Sequence, residues 1–322
     1  MSAHALLRML ADGAVHSGER LADSLQVSRT AVWKTIERLR DRGVPIEARR
    51  RQGYRLPAAV EFLDRGQILR HVSAQNAAAL GELAIHFDVN STNTLLLEEP
   101  PPATGLANAC LAELQSRGRG RRGREWLHPF GGGIALSMSW HFRDMPRHLS
   151  ALSLATGVAV ARALRRAGAN GIALKWPNDI WFEDRKIGGI LIEMRSEAGG
   201  PAFVVIGIGL NVTTSPQSLP AATAAQACGA PPSRNAVAGL VVDEMLAMLI
   251  RFSADGFAAY RDAWIQVDAL RGRGVRVIVG GQESLGIARG IDLDGGLLVE
   301  VDGFVKKFVS GEATLRLQTE PA

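Results

Sequence analysis

The residues best suited to chemistry lie in the segment 115–126, QSRGRGRRGREW, where Arg119, Arg121, Arg122 and Arg124 are interleaved with Gly118, Gly120 and Gly123. Neither an amphipathic helix nor an alternating strand uses that spacing, so a loop is expected. Glycine lets the backbone take positive φ and approach a ligand closely, while guanidinium groups offer planar forks to phosphate or carboxylate oxygens. Two chemistries fit: an ordered site for a small anion, or a disordered arginine-glycine tail that binds RNA. Context favours the first. The apolar run 107–114 precedes the loop, and behind it Ile134, Leu136, Met138, Trp140 and Phe142 alternate with Ala135, Ser137, Ser139 and His141. That period of two is expected of a strand with one buried face, so the arginines sit inside a folded domain, between strands.

Other polar clusters fall at the ends of expected strands. Ser91, Thr92 and Asn93 follow the alternating run Ile85, Phe87, Val89. Their side chains can cap the helix that starts at the apolar 95–97 turn, or can hydrogen-bond a polar ligand. A strand through Ile172, Leu174 and Trp176 runs into Pro177, Asn178 and Asp179. Lys186 stands beside Gly188 and Gly189 and before the strand 190–194, and is either a surface hairpin charge or an ammonium that meets a carboxylate and a phosphate together. The strand 203–208 ends in Gly207, Gly209 and Asn211. The segment 213–232 that follows is rich in Ala, Ser, Pro and Thr without periodicity, either a plain surface loop or a lid.

These clusters need a scaffold, and the rest of the chain supplies one. Leu6, Leu7 and Leu10 mark a first helix ending at Gly13; Ser17 caps a second through Leu25; Ser28 caps a third carrying Val32, Ile36 and Leu39 and stopping at Gly43. Two short helices joined across Gln26 and Val27 are a helix-turn-helix. Ser28, Arg29 and Thr30 begin the second of these, and Trp33, Lys34 and Arg38 are expected on its exposed side. A hairpin with the basic tip Arg49, Arg50, Arg51 follows, as a wing would. The alternatives are DNA binding and a small helical protein-interaction domain; the basic hairpin favours DNA. A boundary is expected at 57–63, then a helix over 64–71, a long helix over 149–167 closed by Gly168, and helices from Ser233 to Phe252 and around Phe257, Tyr260 and Trp264. From Val275 onward, short β runs separated by Gly280-Gly281, Asp294-Gly295-Gly296 and Asp302-Gly303 indicate a small β-barrel.

Composition is consistent with this plan. The 322 residues are 47% hydrophobic, enough for two or three cored domains. A net charge of +5 suits an anionic metabolite or a polyanionic partner. The two cysteines, Cys110 and Cys228, form no CxxC and cannot build a disulfide framework, so a reducing compartment is expected. Without an apolar stretch of roughly 18 residues or a signal-like start, a cytoplasmic protein with no membrane partner is expected.

In order along the chain, SRTAVWK (28–34), STN (91–93), GRGRRGREW (118–126), KWPND (175–179), RKIGG (185–189), GIGLN (207–211) and the terminal β runs resemble the bifunctional biotin-protein ligases that double as biotin operon repressors. The resemblance covers nearly the whole chain. It implies an α+β protein: a winged helix-turn-helix over 1–63, a class II synthetase-like ligase domain with a mixed sheet over 64–270, and an SH3-like barrel over 271–322. It implies biotin plus MgATP giving biotinyl-5'-AMP, transfer of biotin to one lysine of the biotin carboxyl carrier protein of acetyl-CoA carboxylase, operator DNA as a second partner, and a homodimer when the adenylate is bound. The family's motifs, carried onto this chain, place Ser91, Thr92, Asn93, Gln115, Arg119, Gly120, Arg121 and Lys186 on biotin, and Arg121, Arg122, Trp126, Asn178 and Asn211 on ATP or the adenylate. Lys186, Arg121 and Asp179 lie at the reacting centre, Asp179 either orienting the acceptor lysine or engaging the metal. Ser28, Arg29, Thr30, Trp33, Lys34, Arg49, Arg50 and Arg51 face DNA. No protein cage for a metal is expected, Mg²⁺ arriving with ATP. The residue before STN, usually aspartate in the family, is Asn90 here. Two rivals are a lipoate-type ligase, which shares the catalytic architecture, and a ligand-sensing repressor without ligase activity.

Overall fold

A computed structural model describes residues 3–144, 146, 149–196, 201–216, 220–309 and 313–317. The chain opens with α1 (Ala3–Leu10), α2 (Gly18–Ser24) and α3 (Arg29–Asp41), followed by the hairpin β1 (Glu47–Arg49) and β2 (Gly53–Arg55). Ser17 Oγ accepts from the Arg20 amide and Ser28 Oγ from the Ala31 amide, so each serine satisfies an orphan N–H at its helix start. Leu6, Leu7, Leu10, Leu21, Val32, Ile36 and Leu39 close the winged-helix core, as their spacing predicts.

The central part runs α4 (Arg65–Leu69), α5 (Ala74–Ala77), β3 (Leu80–Val89), α6 (Thr92–Glu98), β4 (Ala107–Gln115), β5 (Gly133–Phe142), α7 (Leu152–Arg166), β6 (Ile172–Lys175), β7 (Asp179–Phe182), β8 (Arg185–Ser196), β9 (Ala202–Asn211), α8 (Ala224–Cys228), α9 (Arg234–Asp255) and α10 (Ala258–Ile265). Among the described residues its strands form one sheet in the order β3-β4-β5-β9-β8-β7-β6. Only the β3–β4 pair is parallel, so the sheet is mixed. Helices α7 and α9 lie side by side on one face, and α9 is apolar on nearly every side because α7, β5, α4, α5 and α10 all pack against it. The chain ends in an antiparallel sheet of β10 (Gly274–Val279), β11 (Gln282–Ile291), β12 (Leu297–Val301), β13 (Phe304–Phe308) and β14 (Ala313–Leu317), in the order β13-β12-β11-β10-β14. Trp176 Nε1 donates to Gly295 O at 3.0 Å, fastening a turn of this sheet to the end of β6.

Several sequence expectations need correction. Strand β5 is buried on both faces rather than one, because α6 covers the side carrying Ala135, Ser137 and Ser139. The run expected from Ile85 begins at Leu80, and α5, capped by Ser73, precedes it. The helix expected over 149–167 starts as a 3-10 turn, Leu149–Ala151. Strand β6 stops at Lys175, before the cis Trp176–Pro177 bond. Segment 213–232 contains α8, held by a reciprocal capping box of Thr223 and Gln226; residues 217–219 of that segment lie outside the described residues.

The segment 57–63, where a boundary is expected, is pinned. Arg234, 2% exposed at the start of α9, donates from Nη1 to Glu61 O (2.5 Å), from Nε to Gly133 O (3.0 Å) and from Nη2 to Glu113 Oε2 (3.0 Å). Glu113 Oε1 accepts from the Leu63 amide, and Asn235 and Ser233 close on Glu61. On the other side of the linker, Phe62 and Phe130 meet edge to face at 5.9 Å, His4 of α1 stacks on Phe87 of β3, and Arg42 pairs with Asp88. Replacing Arg234 with alanine leaves the buried Glu113 carboxylate unpaired, so unfolding in urea should show a loss of roughly 3–5 kcal/mol.

Candidate functional site

The cavity forms where the sheet lacks side chains. Gly189 on β8 and Gly207 and Gly209 on β9 floor a space of about 590 Å³. A Cβ on Gly207 would run into Asn93 Oδ1, and one on Gly209 into the Trp126 ring. Glycine is therefore required at both positions by close approach, without any unusual φ.

Around this floor the chain assembles most of the expected site residues. Ser91, Thr92, Asn93, Gln115, Arg119, Gly120, Arg121, Trp126, Asn178, Asp179, Lys186 and Asn211 all line the cavity. Arg122 does not; it lines an adjoining recess of about 440 Å³ formed with the rest of the arginine loop. That loop is folded on itself. Gly120 N donates to Arg124 O (2.7 Å), Trp126 N to Gly118 O (2.9 Å), and Arg121–Gly123 make a single 3-10 turn in which Arg122 takes φ 58°.

Each cluster left open by the sequence now has a geometry. Ser91 sits at the N-cap of α6 but its hydroxyl makes no capping bond, so the capping alternative fails for it. Gln115 Oε1 accepts from the Thr92 amide at 2.9 Å and lies 3.3 Å from Thr92 Oγ1. Asn90 Oδ1 accepts from Ser116 Oγ at 3.0 Å, a role that an aspartate oxygen would fill equally well. Lys186 is no loose hairpin charge: its Nζ donates to Asp179 Oδ1 at 2.6 Å and lies 5.6 Å from the Trp126 ring centroid. Arg121 Nη1 donates to Asn178 Oδ1 at 3.1 Å, and Asn178 in turn donates to Ile190 O. Burial first, then the neighbouring Arg122 and Arg124, hold the Arg121 guanidinium below its ordinary pKa, opposed by Asp179. Crowded like charges in a half-buried loop favour an anion that relieves them.

The segment after Asn211 closes one side of the cavity. Ala222 N donates to Lys186 O (2.9 Å), Asn211 Nδ2 donates to Ala222 O (3.2 Å), and Pro216, Pro220 and Ala221 join the lining. Asn211, buried, therefore both faces the cavity and holds this cover in place. Trp126 Nε1 is buried with no hydrogen-bond partner among the described residues, an orphan donor pointing to a polar group still to be bound.

Two residues escaped the sequence. Ser137 on β5 lies 2.7 Å from Thr92 Oγ1 and 2.5 Å from Asn93 Oδ1, and Glu193 on β8 accepts from both Asn93 Nδ2 (2.9 Å) and Arg119 Nη2 (2.8 Å). The signal for Ser137 is the run of small residues alternating along β5; Glu193 carries none beyond being a carboxylate in an apolar strand.

The N-terminal surface keeps Arg29, Thr30, Trp33 and Lys34 exposed on α3, with Trp33 at 52%, while Ser28 uses its hydroxyl as the helix cap. At the wing, Arg50 and Arg51 are exposed at the tip, and Arg49 is paired with Glu47 at 3.0 Å.

Comparison with known proteins agrees with this arrangement. Residues 3–55 match the HTH domain, 85–211 the Biotin/lipoate A/B protein ligase family, and 271–316 the Biotin protein ligase C terminal domain. The chain is 38% identical over 315 residues to the Bifunctional ligase/repressor BirA of Escherichia coli, covering 97% of this chain and 96% of that one. It belongs to the bifunctional biotin-protein ligase/repressor family. Within that family the BirA of Bacillus subtilis is 33% identical, covering 93% of each chain. The biotin protein ligase from Aquifex aeolicus in complex with biotin and ATP superimposes with a TM-score of 0.63 at 28% identity, covering 74% of this chain and 99% of that one.

The glycine floor gives a direct test. Gly207→Ala should cost about 1–3 kcal/mol by overpacking against Asn93. Gly189→Ala, whose nearest obstacle is the flexible end of Lys186 at 3.1 Å, should cost less. Urea denaturation midpoints of the two variants check the order.

Proposed function

We propose that this chain is an ATP-dependent ligase that joins biotin to the carrier protein of acetyl-CoA carboxylase by way of biotinyl-5'-AMP, and that the adenylate-bound protein, as a homodimer, represses biotin synthesis genes in the cytoplasm. The convergence of Arg119, Arg121 and Lys186 on one glycine-floored cavity carries this reading. We divide the chain accordingly into 1–63, 64–270 and 271–322.

Attack of a carboxylate oxygen of biotin on the α-phosphorus of ATP brings two anions together, with pyrophosphate leaving. Fixed cations in a site shielded from water lower that repulsion far more than mobile ions in bulk solvent. Lys186, set by Asp179, and Arg121, set by Asn178, are the cations placed to act between the reactants, and Arg119 joins them from the loop. Ser91, Thr92, Asn93 and Gln115 hold the biotin head, while Trp126, Asn178, Arg122 and Asn211 serve the nucleotide. The orphan indole N–H of Trp126, whose ring is in close contact with Gly209, fits a nucleotide bound at that end. Among the described residues no group of three His, Cys, Asp or Glu side chains gathers to hold a metal. Mg²⁺ arriving with ATP would neutralise part of the charge on the nucleotide phosphates.

In the second step the acceptor lysine's amine attacks the acyl carbon, AMP leaves, and the amine gives up a proton. Until then water must be kept from the mixed anhydride, a task for the arginine loop and the cover pinned at Ala222. The same adenylate bound to an idle enzyme is the signal for repression, through α3 in the major groove and Arg49, Arg50 and Arg51 on the phosphates.

Incubation with ATP, Mg²⁺, labelled biotin and a carrier domain should place label on a single lysine. Arg121→Ala and Lys186→Ala should each slow adenylate formation by on the order of 10²–10³. ATP–pyrophosphate exchange supported by lipoate but not biotin would overturn the substrate assignment. For DNA, Arg50→Ala and Arg51→Ala should each reduce the log–log salt slope of operator binding by about 1, measured with biotin and ATP present.

A further inference from the structure

Asn93 is 4% exposed and its amide is committed on both sides. Its Nδ2 lies 2.9 Å from Glu193 Oε2 and 3.4 Å from Leu191 O, two groups that can only accept. Its Oδ1 lies 2.5 Å from Ser137 Oγ. Because Oδ1 carries no proton, the serine hydroxyl must point its own at it. Oδ1 is also the atom that a Cβ on Gly207 would strike first, so the carbonyl end of Asn93 sits over the cavity floor. The carbonyl has a second lone pair, and that face of the site therefore presents an acceptor.

We propose that Glu193 is a positioning residue for the ligase reaction: by holding Asn93 Nδ2 it fixes the amide with its oxygen toward the cavity, selecting a ligand that donates N–H there. This rests on the biotin-ligase reading, since biotin's cyclic urea carries two such N–H groups. Without the carboxylate, the long contact to Leu191 O is the one acceptor left to Nδ2, and Ser137, whose hydroxyl can donate or accept, can rotate to meet either end of a flipped amide. A flipped amide presents a donor to a donor. Glu193 Oε2 is at the same time the oxygen that takes Arg119 Nη2, so one atom joins the ligand-reading asparagine to the arginine loop.

The test is steady-state ATP–pyrophosphate exchange on the full chain with biotin varied. Glu193→Ala should raise the KM for biotin about tenfold, the worth of one well-formed hydrogen bond, with kcat and the KM for ATP within about twofold. Glu193→Gln, whose side-chain oxygen still accepts from Asn93 while the charge is gone, should stay within about threefold of the parent. A KM for biotin unmoved in the alanine variant overturns the inference. So does a glutamine variant as impaired as alanine, since charge pairing with Arg119 would then be the role. If the alanine variant does not fold, Asn93→Asp alone should raise the KM, and adding Glu193→Gln should recover part of the loss because the glutamine amide can donate to the new carboxylate; no recovery overturns the inference. Exchange by the parent protein separates the two levels: its absence with biotin sinks the reaction itself, whereas its presence with an unmoved KM in the variant sinks only the role of Glu193.

Discussion

A sheet covered on both faces ordinarily leaves no room for a ligand, and the whole site depends on suspending that rule along β8 and β9. Gly189, Gly207 and Gly209 carry no side chains where the strands pass under α6 and the arginine loop, and the vacated volume is the cavity. The floor is rigid because these residues remain in register: Gly189 pairs with Gly209, and Gly207 with Leu191 and Ser137. Side chains that reach over it, Asn93 from one side and Trp126 from the other, rest directly on the backbone. Their positions are accordingly fixed by contact with the most constrained part of the fold, a condition for holding two reactants within bonding range.

The electrostatics of the site follow from the same economy of space. Arg119, Arg121 and Lys186, gathered in one small cavity, would repel each other if nothing else were present, yet each has a local partner: Arg119 on Glu193, Arg121 on Asn178, Lys186 on Asp179. Two of those partners are carboxylates and one is an amide, so each cation is held in place by a local contact. Because the partners are half-buried rather than fully buried, incoming oxygens can share the cations without first stripping a buried ion pair, which would cost several kcal/mol.

How much of this could be seen in the sequence depends on whether a residue's role is local. The arginine loop is legible because glycine and arginine in alternation satisfy no regular element, and α2 and α3 are legible because Ser17 and Ser28 precede apolar helical spacings. Loop order is harder: hydrogen bonds such as Gly120 to Arg124 and Trp126 to Gly118 fold the segment on itself without leaving a periodic trace. The burial of both faces of β5 is hidden because small residues on one side look like a solvent face, when in fact they make room for α6. Ser137 and Glu193 are invisible for a related reason. Their partners lie 44 and 100 residues away along the chain, and only the pairing of β5 with β9 and β9 with β8 brings them to Asn93.

The linker teaches the same lesson in reverse. Proline, alanine and a change of texture at 57–63 mark a boundary, and boundaries of that composition are usually taken as flexible. Here the boundary's backbone carbonyls and amides are claimed by Arg234, Glu113 and Asn235, and Val60 packs against Gly131. Arg234 also holds Gly133 O, and the neighbouring Gly132 O accepts from the amides of Val212 and Thr213. A run of three glycines at the head of β5 thus touches the linker with its first residue, the cover of the cavity with its second and the buried guanidinium with its third. The winged helix is for that reason not a module on a tether. It is seated on the ligase through the backbone that also frames the cavity, so its orientation belongs to the same packed and hydrogen-bonded unit.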